Sequence, residues 1–290
     1  MLATEHPLET CVARVWTDPY KAVDGAAFLV GDNLLCTCTH VLQGNRANPA
    51  ADVWVNFPFL GDKKLRATLV GATAVEGSGG DIAFLSLLDP LPQGAMALRT
   101  FESRFSVGML CDTYGFPLGY EEGIPTSAVI GNRTALGWRN LIAVNSQGVV
   151  IERGFSGAPV WDIVRQCIVG MIVAMHRKAL VSFVIPSEVI SKVCPQPLDL
   201  SDAESVFDER VSELLLRSAV RLADPEPIAS YLSNLLREHK RGTARKWIYL
   251  TLGQLGGLRA KGILRIWTDR ETDLAARDGL EDAQRILRDD

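Results

Sequence analysis

GFSGAPV, residues 154–160, sets Ser156 between two glycines and ahead of a proline. Glycines there permit a tight turn that aims the backbone N–H groups of Gly154 and Ser156 at one point, an arrangement able to hold a developing oxyanion. A serine hydroxyl is a weak nucleophile at its own pKa. It needs an imidazole to take its proton and a carboxylate to hold that imidazole in the right tautomer. Two upstream segments supply them: TCTHV (37–41) carries His40 and GGDIAF (79–84) carries Asp81. Taken singly, Ser156 is an ordinary turn serine and His40 an ordinary strand-end histidine. Together they form the candidate catalytic set His40, Asp81 and Ser156, with Gly154 and Ser156 as oxyanion donors.

Further segments fall into place around these three. GAAFLVGDNLLCTCTHVL runs strand-turn-strand into His40, GGDIAFLSL places hydrophobic and alanine residues after Asp81, and GFPLGYEEGIPTSAVIGN precedes the serine turn. After the serine come CIVGMIVAM and FVIP. In this order the motifs resemble the chymotrypsin/trypsin superfamily, and more closely its bacterial high-temperature-requirement branch, over roughly the first 190 positions. The resemblance implies a serine endopeptidase acting on protein substrates, with two packed β-barrels and the catalytic residues in the cleft between them. It places the base of the primary pocket near Val150, the walls at Val173, Ala174 and Met175, and the closing strand near Ser182 and Phe183. None of these is acidic, so the expected partner on the acyl side of the cut bond is a small-to-medium apolar residue. Glu152, Arg153 and His176 are the charged or titratable neighbours that would bend this preference. The position at which zymogen-type relatives carry an activating aspartate is Phe155, so activation by N-terminal cleavage is not expected; if the site is switched, a bound partner that orders its loops is the expected route.

Length and composition agree with more than one core. The chain has 290 residues, 47% of them hydrophobic, and a formal net charge of −4. At about 150 residues per domain two domains are expected, and the charge gives no sign of nucleic acid. The opening MLATEHPLETCVARVW lacks a basic stretch followed by a long apolar run, so neither a secretory leader nor a membrane anchor is read and cytoplasm is the expected location. Six cysteines, Cys11, Cys36, Cys38, Cys111, Cys167 and Cys194, are therefore expected as reduced thiols. Cys36, Cys38 and His40 alternate along one stretch, which raises a zinc reading, but no second pair of ligands at metal spacing lies nearby. Small core residues are the better account, and the expected chemistry requires no metal or organic cofactor.

Short runs at 27–30, 34–38, 53–57, 67–71, 82–87, 141–144, 148–151, 168–173 and 180–185 read as strands bounded by Gly, Pro, Asn and Asp. The fold expected for residues 1–194 is thus a mainly β double barrel. CPQPLDLS opens a linker at 195–203, and Ser201 with Glu204 reads as a capping box opening an all-α domain at 204–290. There Val211, Leu215, Ala219 and Leu222 fall on one helical face, as do Ala244, Ile248, Leu252 and Leu255, and then Ala276, Leu280, Ala283 and Leu287. Ile228, Leu232 and Leu235 correspond to Ala260, Leu264 and Trp267 at a constant offset of 32 residues. A two-helix period of this length resembles short bacterial HEAT repeats, which imply a docking or regulatory surface for a protein partner. Arg237, His239, Lys240, Arg241, Arg245 and Lys246 cluster at a predicted helix-helix turn; a solvated turn is favoured over a phosphate site. Trp247 and Trp267 are expected in helix contacts. A catalytically inactive scaffold and a quality-control protease remain as alternatives to regulated processing.

Overall fold

GAAFL and LLCT are buried along their whole length, because small and branched apolar residues there meet neighbours on both faces of a curved sheet. They form β2 (Gly25–Leu29) and β3 (Leu34–Thr37). The computed structural model describes residues 6–43, 49–74, 80–98, 105–143, 151–176, 181–198, 207–219 and 226–289. Within them β2 pairs with β1 (Val12–Trp16) and with β3, Ala27 facing Thr37. β3 pairs with β6 (Ala83–Leu87), β6 with β5 (Leu65–Ala72), and β5 with β4 (Asp52–Asn56). β4 returns to β1 with Val55 opposite Val15, which closes a barrel of antiparallel strands.

A second closed barrel follows. β7 (Leu110–Gly115), β8 (Ile124–Arg133) and β9 (Arg139–Ala143) form a meander, and β10 (Pro159–Asp162), β11 (Cys167–His176) and β12 (Val181–Pro186) complete it. β12 joins β9, and β10 joins β7 with Trp161 opposite Asp112. Closure of both sheets removes free edges. The barrels meet through their cores: Cys36 Sγ lies 3.7 Å from Met171 Sδ, and the Cys38 thiol donates to the Ile172 carbonyl at 3.2 Å. No disulfide joins any of the six cysteines.

Helix α1 (Thr39–Gln43) starts directly after β3, so His40 lies in a helical first turn rather than at a strand end. β1, β7, β8 and β10 lie outside the runs read as strands from the sequence, and the expected strand at 148–151 falls largely outside the described residues. A short helix, α2 (Ser187–Val193), packs on β11 and β12 just ahead of the expected linker, where the sequence reading assigned no helix. Residues 199–206, with the expected capping box, are also outside the described set. α3 (Glu209–Ala219) is instead opened by Asp208, whose Oδ1 accepts the Val211 N–H at 3.0 Å.

The remaining helices are α4 (Glu226–Glu238), α5 (Gly242–Leu255), α6 (Gly257–Thr268) and α7 (Leu274–Asp289). α3, α5 and α7 pack side by side in one layer, and α4 and α6 lie against each other in a second. Each of the recurring apolar faces turns inward: Leu215, Ile248, Leu252, Ala276 and Ala283 are fully buried in the first layer, and Ile228, Leu232, Leu235 and Ala260 in the second. Among the described residues no helix is long and apolar enough to cross a membrane.

Two buried polar knots hold the helices. At the barrel, Arg165 Nη1 donates to Asp162 Oδ2 at 2.8 Å and to the Tyr231 hydroxyl at 3.2 Å, while its Nη2 reaches Glu238 at 3.2 Å. Asp162 ends β10 and is fully buried, so α4 is tied to the strand that leaves the serine turn. Within the helices, Arg245 makes paired 2.9 Å hydrogen bonds to both oxygens of Glu271, and the Tyr249 hydroxyl adds a third at 2.7 Å. Arg245, a member of the basic cluster at the α4–α5 turn, is therefore occupied.

Burial alone would raise the Glu271 pKa; hydrogen bonds from Arg245, the Asp273 N–H and Tyr249 outweigh it and hold the carboxylate down to about 2. A depressed folded pKa gives stability that is full above the ordinary value of 4.5 and is lost as pH falls toward about 2. Glu271→Gln should therefore lower the melting temperature at pH 7. Thermal melts of the variant and the parent should converge progressively as pH falls below the ordinary carboxylate range. A constant gap across that window would show that the ionised carboxylate is not what stabilises the helices.

Candidate active site

His40 and Asp81 meet because β3 hands the chain to α1 beside the loop that enters β6. Asp81 is 3% exposed, so its carboxylate is kept from water and must be paired. Its Oδ2 lies 2.6 Å from His40 Nδ1, and its Oδ1 accepts the His40 backbone N–H at 2.9 Å. One carboxylate thus fixes both the ring and the main chain of the histidine. Asp81 adopts φ +70°, a left-handed conformation that aspartate tolerates better than most residues, with its own N–H bonded to the Ala74 carbonyl at 2.7 Å. Such strain is stored where the surrounding structure over-determines it.

The serine turn is docked on the same barrel. The Ala26 N–H donates to the Ser156 carbonyl at 2.8 Å, and the Gly157 N–H donates across to Ile172 on β11 at 2.8 Å. Gly25 faces both Ser156 and the neighbour of His40: a Cβ there would come within 2.7 Å of Val41 and 2.8 Å of the Ser156 carbonyl. Gly154 and Gly157 have φ of +108° and +85°, and a Cβ on either would collide with backbone, that of Phe116 and Ala26 respectively. Only glycine fits these two positions. Between them, Phe155 is fully buried, closes a turn by donating its N–H to the Glu152 carbonyl at 3.0 Å, and fills the space over Gly115.

That turn leaves two backbone donors uncommitted. Among the described residues neither the Gly154 N–H nor the Ser156 N–H has a hydrogen-bond partner, and Ser156 Oγ has none. Ser156 is half-buried, and the His40 side chain is 35% exposed, so solvent reaches both.

Of the expected primary-pocket residues, Val173 is fully buried on β11. Val150 lies outside the described residues, as do the side chains of Ala174, Met175 and His176. Ser182 Oγ donates to the Ile151 carbonyl at 3.3 Å and so joins β12 to the segment leading to the serine turn. The thiols separate: Cys36 turns to Met171, whereas donor atoms of Cys38, His40 and Asp81 all lie within 4.8 Å of one another. Burial, and then the Asp81 carboxylate, push the Cys38 thiol well above its ordinary pKa.

Residues 25–171, just over half of the chain, match the model of the trypsin-like peptidase domain. The chain belongs to this family. As a trypsin-like peptidase it is a hydrolase of the serine endopeptidase class. A search of curated proteins returned no match. Among solved structures, the active form of the Rv3671c protease from M. tuberculosis is 21% identical with a TM-score of 0.48, covering 66% of this chain and 84% of its own. A serine endoprotease from Yersinia pestis is 18% identical with a TM-score of 0.49, covering 64% of this chain and 62% of its own.

What sequence reasoning missed is a cavity beside the serine turn. It measures about 430 Å³, adjoins Gly154 and is walled by the β1–β2 loop, Gln43 of α1, Phe116 and Leu118. Its walls come from four separate stretches, and no spacing in the sequence joins them.

Proposed function

We propose that this trypsin-like peptidase cleaves protein substrates through His40, Asp81 and Ser156. The observation that carries the reading is the His40–Asp81 pair at 2.6 Å beside a serine turn bonded to the same barrel. Asp81 accepts from Nδ1–H, which leaves Nε2 as the base. Ser156 Oγ attacks the scissile carbonyl carbon as its proton passes to His40 Nε2. The carbonyl π-pair moves onto oxygen, where the N–H groups of Gly154 and Ser156 receive it. Collapse breaks the C–N bond and the imidazolium gives its proton to the departing amine. Water, deprotonated by His40, then releases the acyl group and restores the serine. In an apo site the serine-to-imidazole hydrogen bond is commonly unformed and tightens with substrate.

The acyl-side residue is small to medium and apolar. Residues 1–194 form the protease domain, 195–203 the linker and 204–290 a HEAT-like module that docks a protein regulator or partner. The reading also takes the chain as an intracellular, cytoplasmic bacterial enzyme, a setting in which reduced cysteines suit a structure without disulfides. Regulated cutting of a few partner proteins fits a protease tied to a two-layer helical array, since such arrays offer extended surfaces for proteins.

The test is a proteome-derived peptide library incubated with the full chain and read by mass spectrometry. New termini with an apolar residue on the acyl side, lost in Ser156→Ala, support the proposal. New termini that persist in Ser156→Ala would refute it.

A further inference from the structure

We propose that the cavity beside Gly154 is a subsite for an acidic side chain on the leaving-group side of the scissile bond, with Arg153 as the cation that pairs with it. The inference rests on the catalytic assignment above and extends it to the other half of the substrate.

The position of the cavity decides which half of the substrate it meets. Gly154 supplies an oxyanion N–H, so the reacting carbonyl sits at the cavity's edge. The acyl-side residue lies against β11, which flanks the serine turn through the Gly157 and Ala158 bonds to Ile172. No residue of β11 or β12 lines the cavity. It is bounded instead by Gln43, three residues beyond His40 on α1, and by the β1–β2 loop. A chain passing from the β11 side through the carbonyl at Ser156 therefore reaches this cavity with its first residues after the cut.

The uncommitted charge decides what enters. Four charged residues line the space, two of each sign, and three already have partners. Lys21 and Asp18 form an ion pair at 3.3 Å, and Asp24 Oδ2 accepts both the N–H and the hydroxyl of Thr17, at 2.7 and 2.8 Å. Arg153 is exposed, precedes Gly154 directly, and makes no ion pair or hydrogen bond among the described residues. A guanidinium in that state matches a carboxylate with two parallel N–H···O bonds. Val23, Phe116 and Leu118 supply an apolar wall for the methylene stem of the incoming residue, and about 430 Å³ is ample for a glutamate. The rim continues outward as exposed apolar surface, with Tyr20 96% and Leu118 82% accessible, as suits contact with a folded protein substrate.

The experiment uses the full chain and internally quenched peptides carrying Asp, Glu, Ala or Lys at each of the first three positions after the cut bond. The readout is the ratio of kcat/KM for acidic over alanine peptides on the same enzyme, so that changes in overall activity cancel. Wild type should favour the acidic residue by about five-fold at one of these positions. Arg153→Ala should bring the ratio to about one, and Arg153→Glu should turn the preference toward lysine by about ten-fold. An absent preference in wild type, or a ratio unchanged in both variants, would overturn the subsite. Parallel labelling of Ser156 with a fluorophosphonate separates the two levels. A labelled enzyme with an Arg153-independent ratio removes the subsite alone, whereas a wild type that neither labels nor cleaves removes the catalytic assignment as well.

Discussion

Asp81→Asn will lower kcat by about 10⁴-fold while KM and the melting temperature stay close to those of the parent. Asn keeps the size of Asp and offers an oxygen for the His40 backbone N–H, the bond that Asp81 Oδ1 makes at 2.9 Å. Its other terminal atom is then an NH₂ group, facing Nδ1 where the carboxylate now accepts at 2.6 Å. Two donors cannot share that contact, so the imidazole takes the tautomer with Nδ1 as acceptor and Nε2 protonated. A protonated Nε2 cannot remove the Ser156 proton. The imidazolium formed during attack also loses its counter-charge in a site where Asp81 is almost fully shielded from water. Steady-state kinetics on a cleaved peptide, beside a thermal melt, measure both parts. A loss of ten-fold or less would mean that Asp81 acts only as a scaffold for α1.

The second large effect is on stability and reaches the site through one side chain. Phe155→Ala should cost about 3–5 kcal/mol, the range for removing a buried aromatic ring from a packed interior. Phe155 is fully buried and its ring occupies the space that a Cβ on Gly115 would need, so β7 and the serine turn are fitted to each other there. With the ring gone, the turn closed by Glu152 and Phe155 loses its anchor, and Gly154 with it. Activity should fall more than stability alone explains, because the two N–H donors are held in place by this turn and must be ordered before the oxyanion forms. Urea unfolding gives the first quantity. Labelling rate at a temperature where the variant remains folded gives the second. A midpoint within error of the parent would show that the pocket collapses around the missing ring.

GFSGAPV was legible because its demands are local: two glycines with positive φ and a proline that starts β10 are marks a sequence carries openly. His40 and Asp81 followed from the order of motifs, although the short helix that carries His40 did not, since five residues after a strand leave no periodicity to read. The strands that escaped share a cause. β8 buries Thr126 and Ser127 inside a run that is apolar only in part, and β10 ends on the buried Asp162, so polar residues sit where the pattern calls for loops. Asp162 is tolerated there because Arg165 and Tyr231 satisfy it, and Tyr231 is 69 residues away. Glu271 likewise draws on Arg245, 26 residues upstream. Pairings of that span leave no mark on local spacing. The inward faces of α3 to α7 were readable for the opposite reason, since a 3.6-residue period repeats along each helix.

The most direct test of the central claim is reaction of the full chain with a fluorophosphonate, followed by peptide mapping. The account predicts one adduct, on Ser156, absent from Ser156→Ala and slowed by at least about a hundred-fold in His40→Ala, because the hydroxyl is activated only through the imidazole. An adduct on another residue, or labelling of Ser156 at the same rate without His40, would contradict it.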